Sequence, residues 1–148
     1  MLDIYEINES TLAIIPITKK TSRIIEENNI YLINQNTTDI IDHSCKYFGS
    51  SYEGRHEGTK SLTGLYYKTP ILIEETREII FFPTNSPRLD NCYWISFKKI
   101  KDSKIDNNLT KIIFENNLEI SIDISYQSLQ NQILRSSLLE SIIRRRKY

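Results

Sequence analysis

Glycine is nearly missing from this sequence: there are four in 148 residues, and Gly49, Gly54 and Gly58 all fall in one stretch, YFGSSYEGRHEGTK, from Tyr47 to Lys60. Their spacing is neither GxGxxG nor GxxxxGK[ST], and the Gly58-Thr59-Lys60 run lacks a preceding strand and a following helix, which argues against a nucleotide-binding enzyme. Cysteine is as scarce, with only Cys45 and Cys92. Two such residues form no disulfide framework and read as free thiols of a cytoplasmic protein. The only histidines are His43 and His56. His43 and Cys45 stand two apart, so on a helix their side chains diverge by about 200°, and neither CxxC nor HxxxH is present, which argues against a metal site. Composition allows a Cys45 nucleophile with His56 as its base, but a small apolar cysteine facing a core is the plainer reading, so neither catalysis nor a cofactor is expected. No stretch supplies the roughly 18 apolar residues of a membrane span. The N-terminal MLDIYEINES is acidic and lacks the apolar centre of a secretory signal, which again points to the cytoplasm.

Net charge is also lacking, with 19 basic against 19 acidic residues, so bulk positive charge is not available for coating nucleic acid. The distribution is uneven. Residues 1–44 carry 3 basic and 7 acidic groups, residues 45–104 carry 10 and 7, residues 105–126 carry 1 and 4, and residues 127–148 carry 5 and 1. Positive charge therefore gathers in the middle and at the C-terminal end, which permits a basic face on a neutral protein.

What the sequence does have is short apolar runs rich in isoleucine and aromatics. They are read as strands at Ile4 to Ile7, Leu12 to Ile15 (ended by Pro16), Arg23 to Glu26, Ile30 to Ile33, Leu65 to Tyr67, Ile71 to Ile73, Ile79 to Phe82 (ended by Pro83), Tyr93 to Ile100, Lys111 to Phe114 and Leu118 to Ile122. The connections are short, and Asn28-Asn29 and Asn116-Asn117 suit tight turns, so the pairing is expected to be antiparallel. Two segments break the pattern. TDIIDHSCKYFG, from Thr38 as candidate N-cap to Gly49 as stop, predicts a short helix over about 38–48 that runs into a glycine-rich loop. From Tyr126 onward Leu134, Leu138 and Ile142 recur every four residues, predicting an amphipathic C-terminal helix over about 127–147. Its closing Arg144, Arg145, Arg146 and Lys147 suit a helix C-terminus. The expected fold class is α+β, one domain over 1–148 with a mostly antiparallel β body.

Within the loop, Arg55 lies between Gly54 and His56, with Lys46 and Lys60 at the two ends. Glycines let a backbone come near phosphates, and arginine suits phosphates and narrow minor grooves. Glu53 and Glu57 oppose this, leaving the loop mildly positive. A second exposed turn, TNSPRLDN, offers Arg88. No second helix is read after the first, so a helix-turn-helix is not expected, and a loop or strand is the anticipated reader of any groove. The residues assigned to DNA contact are Arg55 and Lys60, supported by Ser50, Ser51, Arg88 and Lys46.

The runs DHSCKYFGSSYEGRHEGT (42–59), KTPILIEETREIIFFPTNSPRLDNCYWIS (68–96) and ISYQSLQNQILRSSLLES (124–141) resemble the competence transcription factor family, ComK, in order and at similar spacing over nearly the whole chain. The resemblance implies a transcriptional activator of DNA-uptake genes that binds AT-rich promoter boxes through the minor groove as a self-associating dimer or higher oligomer. It also implies RNA polymerase as a further partner. Narrow A-tract grooves are strongly negative, so a few well-placed cations suffice. Where members carry basic residues beside the motif cysteine and after Gly-Arg, this chain has His43 and His56. If these lie near phosphates, binding strengthens as the pH falls toward about 6. Longer members continue into a tail read by a proteolytic adaptor, whereas this sequence stops at Tyr148. That difference puts the adaptor outside the resemblance and raises an alternative, a family-derived regulator acting through mixed oligomers.

Overall fold

The computed structural model describes residues 1–146. Nine strands and three helices form an α+β domain among the described residues. The strands β1 (Thr11–Thr18), β2 (Thr21–Glu26), β3 (Ile30–Ile33), β4 (Ile71–Glu74), β5 (Ile79–Pro83) and β6 (Trp94–Ser96) build one sheet in the order β3-β2-β1-β6-β5-β4. The strands β7 (Ile100–Asp106), β8 (Leu109–Phe114) and β9 (Glu119–Ile122) form a second, three-stranded sheet. Every strand pair is antiparallel, as the short connections require.

Three departures from the sequence expectations have local causes. β1 continues through Pro16 to Thr18 because β6 pairs only with Ala13 and Ile14, so no ladder bond is demanded of Pro16 on that side. Ile4 to Ile7 forms no strand: the Ile7 N–H donates to Ser44 Oγ at 3.0 Å, and the segment crosses a helix instead of pairing. Leu65 to Tyr67 is likewise a loop, because the Tyr67 and Lys68 carbonyls are taken by side chains of the C-terminal helix.

The larger sheet is covered on both faces. One face packs Ile14, Ile24, Ile71, Phe81 and Trp94 against Ile40, Ile41 and Cys45 of helix α1 (Thr37–Tyr47). The other packs Ala13, Ile25, Phe82 and Ile95 against Ile112, Phe114 and Ile122 of the smaller sheet and Leu129 of helix α3 (Tyr126–Arg146). Helix α2 (Tyr52–Thr63) lies along the edge strand β4, touching α1 and α3. Leu62 joins Leu139 and Ile143 against Leu72 and Ile80 there. The predicted C-terminal helix is therefore present as α3, and Lys147, its expected last residue, lies outside the described residues.

Candidate nucleic-acid interface

The stretch expected to be a glycine-rich loop is mostly helix, and the reasons are local. α1 is capped two residues earlier than expected: Asn36 is its N-cap, accepting from the Asp39 N–H at 2.8 Å. The chain turns through Gly49 at φ +89°, and Ser51 caps α2 by accepting from the Gly54 N–H at 2.9 Å. Gly64, at φ +78°, ends α2 with its N–H on the Lys60 carbonyl. Gly54 and Gly58 do not break the helix; each costs about 1 kcal/mol relative to alanine, which capping and tertiary contact offset. A second helix thus follows the first, separated by residues 48–51, contrary to the sequence expectation. Its solvent side carries exposed Glu53 and Glu57, and Lys60 is held by Glu57 at 3.3 Å, so that side of α2 has the wrong charge to enter a groove.

The opposite side of α2 faces a cleft of about 160 Å³ between α2, β4 and the end of α3. Ser50, Gly54, Arg55 and Gly58 line one wall, Ile143 and Arg146 the other, and Glu75 is also part of the lining. A Cβ on Gly54 would lie 3.1 and 3.2 Å from the Ser50 and Ser51 hydroxyls, whereas one on Gly58 would meet nothing within 4 Å. Arg55 Nε is buried and has no hydrogen-bond partner among the described residues. Leaving such a donor unsatisfied is costly, so a partner for it is the first thing the cleft lacks.

Two further candidates lie at the two ends of α1. Lys46 pairs with Asp42 at 2.9 Å, and the second Asp42 oxygen accepts from the Tyr52 N–H at 2.9 Å, placing a carboxylate on the first turn of α2. Partial burial works to raise the Asp42 carboxyl, but the Tyr52 N–H and Lys46 outweigh it and hold the pKa below the usual value. Arg88 is exposed in a turn tied to α1 by the Thr38 hydroxyl, which donates to the Pro87 carbonyl at 3.1 Å. Burial pushes the Tyr52 phenol up to about 12, and the charge of Arg88 works against that rise; Arg88 lines a separate recess with Asn36, Thr38 and Asp39 at the start of α1. Lys60 lies apart from this group, its ammonium 5.6 Å from the centre of the Tyr66 ring. Arg146 was missed from the sequence. Its signal was the C-terminal basic run, read as complementing the helix dipole.

Cysteine and histidine chemistry finds no support in the geometry. Cys45 and Cys92 are buried, and burial pushes each thiol up to about 12. His43 Nε2 lies 2.7 Å from Glu6, and His56 is bonded to the Thr69 hydroxyl at 2.7 Å while stacking on Tyr52. No cluster of three metal-ligating side chains occurs among the described residues.

Comparison with known proteins agrees with a regulator. The family described as ComK protein matches residues 2–148. The chain is 36% identical over 144 residues to the competence transcription factor of Bacillus subtilis (strain 168), an alignment covering 95% of this chain and 75% of that protein. No solved structure gives a significant match. With a family match over nearly its entire length and a relative at that level of identity, the chain belongs to the ComK family.

Proposed function

We propose that this protein is a competence transcription regulator that binds AT-rich promoter DNA, through the minor groove and as a self-associating oligomer. The observation that carries the reading is the cleft in which Arg55, with its unpartnered Nε, lies across from Arg146. Two guanidinium groups on an open cleft are suited to the narrow, strongly negative groove of an A-tract, where a few cations replace a large net charge. Ser50 and Ser51 flank this approach at the start of α2, Arg88 adds a contact from the start of α1, and Lys46, bound to Asp42, contributes less. Lys60 sits apart from this approach and must leave Glu57 before it contacts DNA, so its share is smaller than that of Arg55.

Self-association is supported by α3, which buries Leu129, Leu139 and Ile143 on one side while Leu134 and Leu138 remain 67% and 42% exposed on another. The mixed-oligomer alternative would use the same outward leucines without direct DNA contact. No helix among the described residues is long and apolar enough to cross a membrane. The deciding experiment is a mobility shift with AT-rich and GC-rich duplexes of equal length across a salt series. A shift favouring the AT-rich duplex, weakening steeply with salt, supports the reading. Equal or salt-independent behaviour with both duplexes overturns it in favour of the mixed-oligomer alternative.

A further inference from the structure

Between α2 and β4 the chain presents two adjacent phenol rings to water. Tyr66 is 65% exposed and Tyr67 82%, whereas Tyr5 is only 7% exposed. The backbone beneath them is clamped. Arg135 donates through Nη2 to the Tyr67 carbonyl at 2.5 Å and through Nη1 to Gln132 Oε1 at 2.8 Å. Gln132, itself buried, donates to the Lys68 and Pro83 carbonyls at 2.9 and 2.7 Å. Lys68 is held at φ +46°, a conformation that favours glycine and persists where surrounding contacts impose it. The loop is thus built to hold the rings outward. Lys60, paired with Glu57 at 3.3 Å, lies 5.6 Å from the centre of the Tyr66 ring, and Lys68 follows Tyr67 directly in the chain. Flat π-faces beside cations match a nucleobase and its phosphates better than an acidic or apolar protein surface.

We propose that the loop bearing Tyr66 and Tyr67 is a base-stacking platform for unpaired nucleic acid, its rings receiving bases while Lys60 and Lys68 take the adjoining phosphates. This goes beyond the duplex reading above and shares with it the premise that the partner is nucleic acid and the use of Lys60. The platform neither uses Arg55 nor needs the α2–α3 cleft.

The test is fluorescence anisotropy of a labelled oligothymidylate, with an AT-rich duplex measured on the same samples. Wild type is expected to bind the oligothymidylate with a salt-dependent affinity. The Tyr66→Ala, Tyr67→Ala double variant should lose roughly 5- to 100-fold, and the corresponding double Phe variant should retain binding because the π-face is kept. Lys60→Ala should weaken binding and reduce the salt slope by about one phosphate contact. The rings are exposed, so folding of the double Ala variant is expected and is checked by circular dichroism. Wild-type affinity in the double Ala variant overturns the platform, as does an equal loss in the double Phe variant. Loss of self-association in the double Ala variant with unchanged oligothymidylate affinity would make the loop a protein-docking surface and also overturn it. Failure of wild type to bind the duplex while it binds oligothymidylate sinks the promoter reading alone; the reverse sinks the platform alone.

Discussion

Two arginines that reach the β4–β5 region meet opposite fates. Arg144 docks the end of α3 onto Glu78, with Nε 2.9 Å from Oε2 and Nη2 3.1 Å from Oε1, while Lys98 holds the same carboxylate at 3.3 Å and Glu140 lies 3.6 Å from Arg144. Arg55 lines the cleft with a buried Nε that bonds nothing among the described residues. The first arrangement fixes one element to another and leaves little for a ligand to recruit. The second leaves a donor whose burial has been accepted without compensation, which is the condition of a binding group awaiting its partner. For the proposed DNA-binding role of a chain with no net charge the contrast matters: cations engaged inside the protein contribute less, and a small number of unengaged ones contribute more.

The largest expected effect separates the two roles directly. Arg55→Ala should weaken binding to an AT-rich duplex by about 1–3 kcal/mol while leaving thermal stability within about 0.5 kcal/mol of wild type, because the lost group makes no hydrogen bond through Nε. Duplex titration and a melting curve on one preparation decide it. A destabilised variant with undiminished affinity would make Arg55 a structural residue and dissolve the comparison.

Next come the residues that shape the cleft wall. Ser51→Ala removes the cap of α2 and should cost about 1 kcal/mol of stability, seen in denaturant unfolding, with weaker DNA binding following from a frayed α2 start. Unchanged stability would mean that the cap is dispensable. Gly58→Ala should act in the other direction on stability. Its added methyl meets no atom within 4 Å, so the helix gains about 0.5–1 kcal/mol, yet the methyl projects toward the approach to Arg55 and should lower DNA affinity. A stabilised variant with full affinity would show that DNA does not come near this wall.

Much of the frame was legible in the sequence because strand alternation and turn asparagines are local signals. β3, β5, β8 and β9 follow from runs such as Ile30 to Ile33, and Asn117 turns at φ +69° as its pairing with Asn116 suggested. α2 was not legible, because Gly54 and Gly58 weigh as breakers when read locally, although Ser51 before them and Gly64 after them are a cap and a stop. That one misreading hid further facts. Glu57 and Lys60 become neighbours only on a helix, so the neutralisation of Lys60 could not be seen, and His56 could not be placed against Tyr52 and Thr69. Arg55 stood out as a lone arginine among small residues, whereas Arg146 reaches the cleft only through packing of α3 on β4 and β5, which no local pattern encodes.

The smallest effect belongs to the satisfied arginine, and its value lies in its pH profile. Hydrogen bonding from Arg144 lowers the Glu78 pKa below its usual value; partial burial opposes this, and Lys98 adds to the lowering. A carboxylate depressed in the folded state is protonated first in the unfolded chain, so its contribution is complete above the unfolded value of about 4.3 and disappears as the pH falls through the lower folded value. Arg144→Gln should therefore lower the melting temperature near neutral pH by about one to two degrees, and the difference from wild type should close as the solution is acidified below about pH 4. Duplex affinity at neutral pH should stay unchanged, since Arg144 is engaged by Glu78 and lies outside the cleft lining. A melting-temperature gap that persists at low pH would assign the loss to the packing of the α3 end instead of to the ion pair. A fall in DNA affinity as large as that of Arg55→Ala would mean that engagement by an internal carboxylate does not remove a cation from the DNA-binding surface, and the distinction between the two arginines would fail.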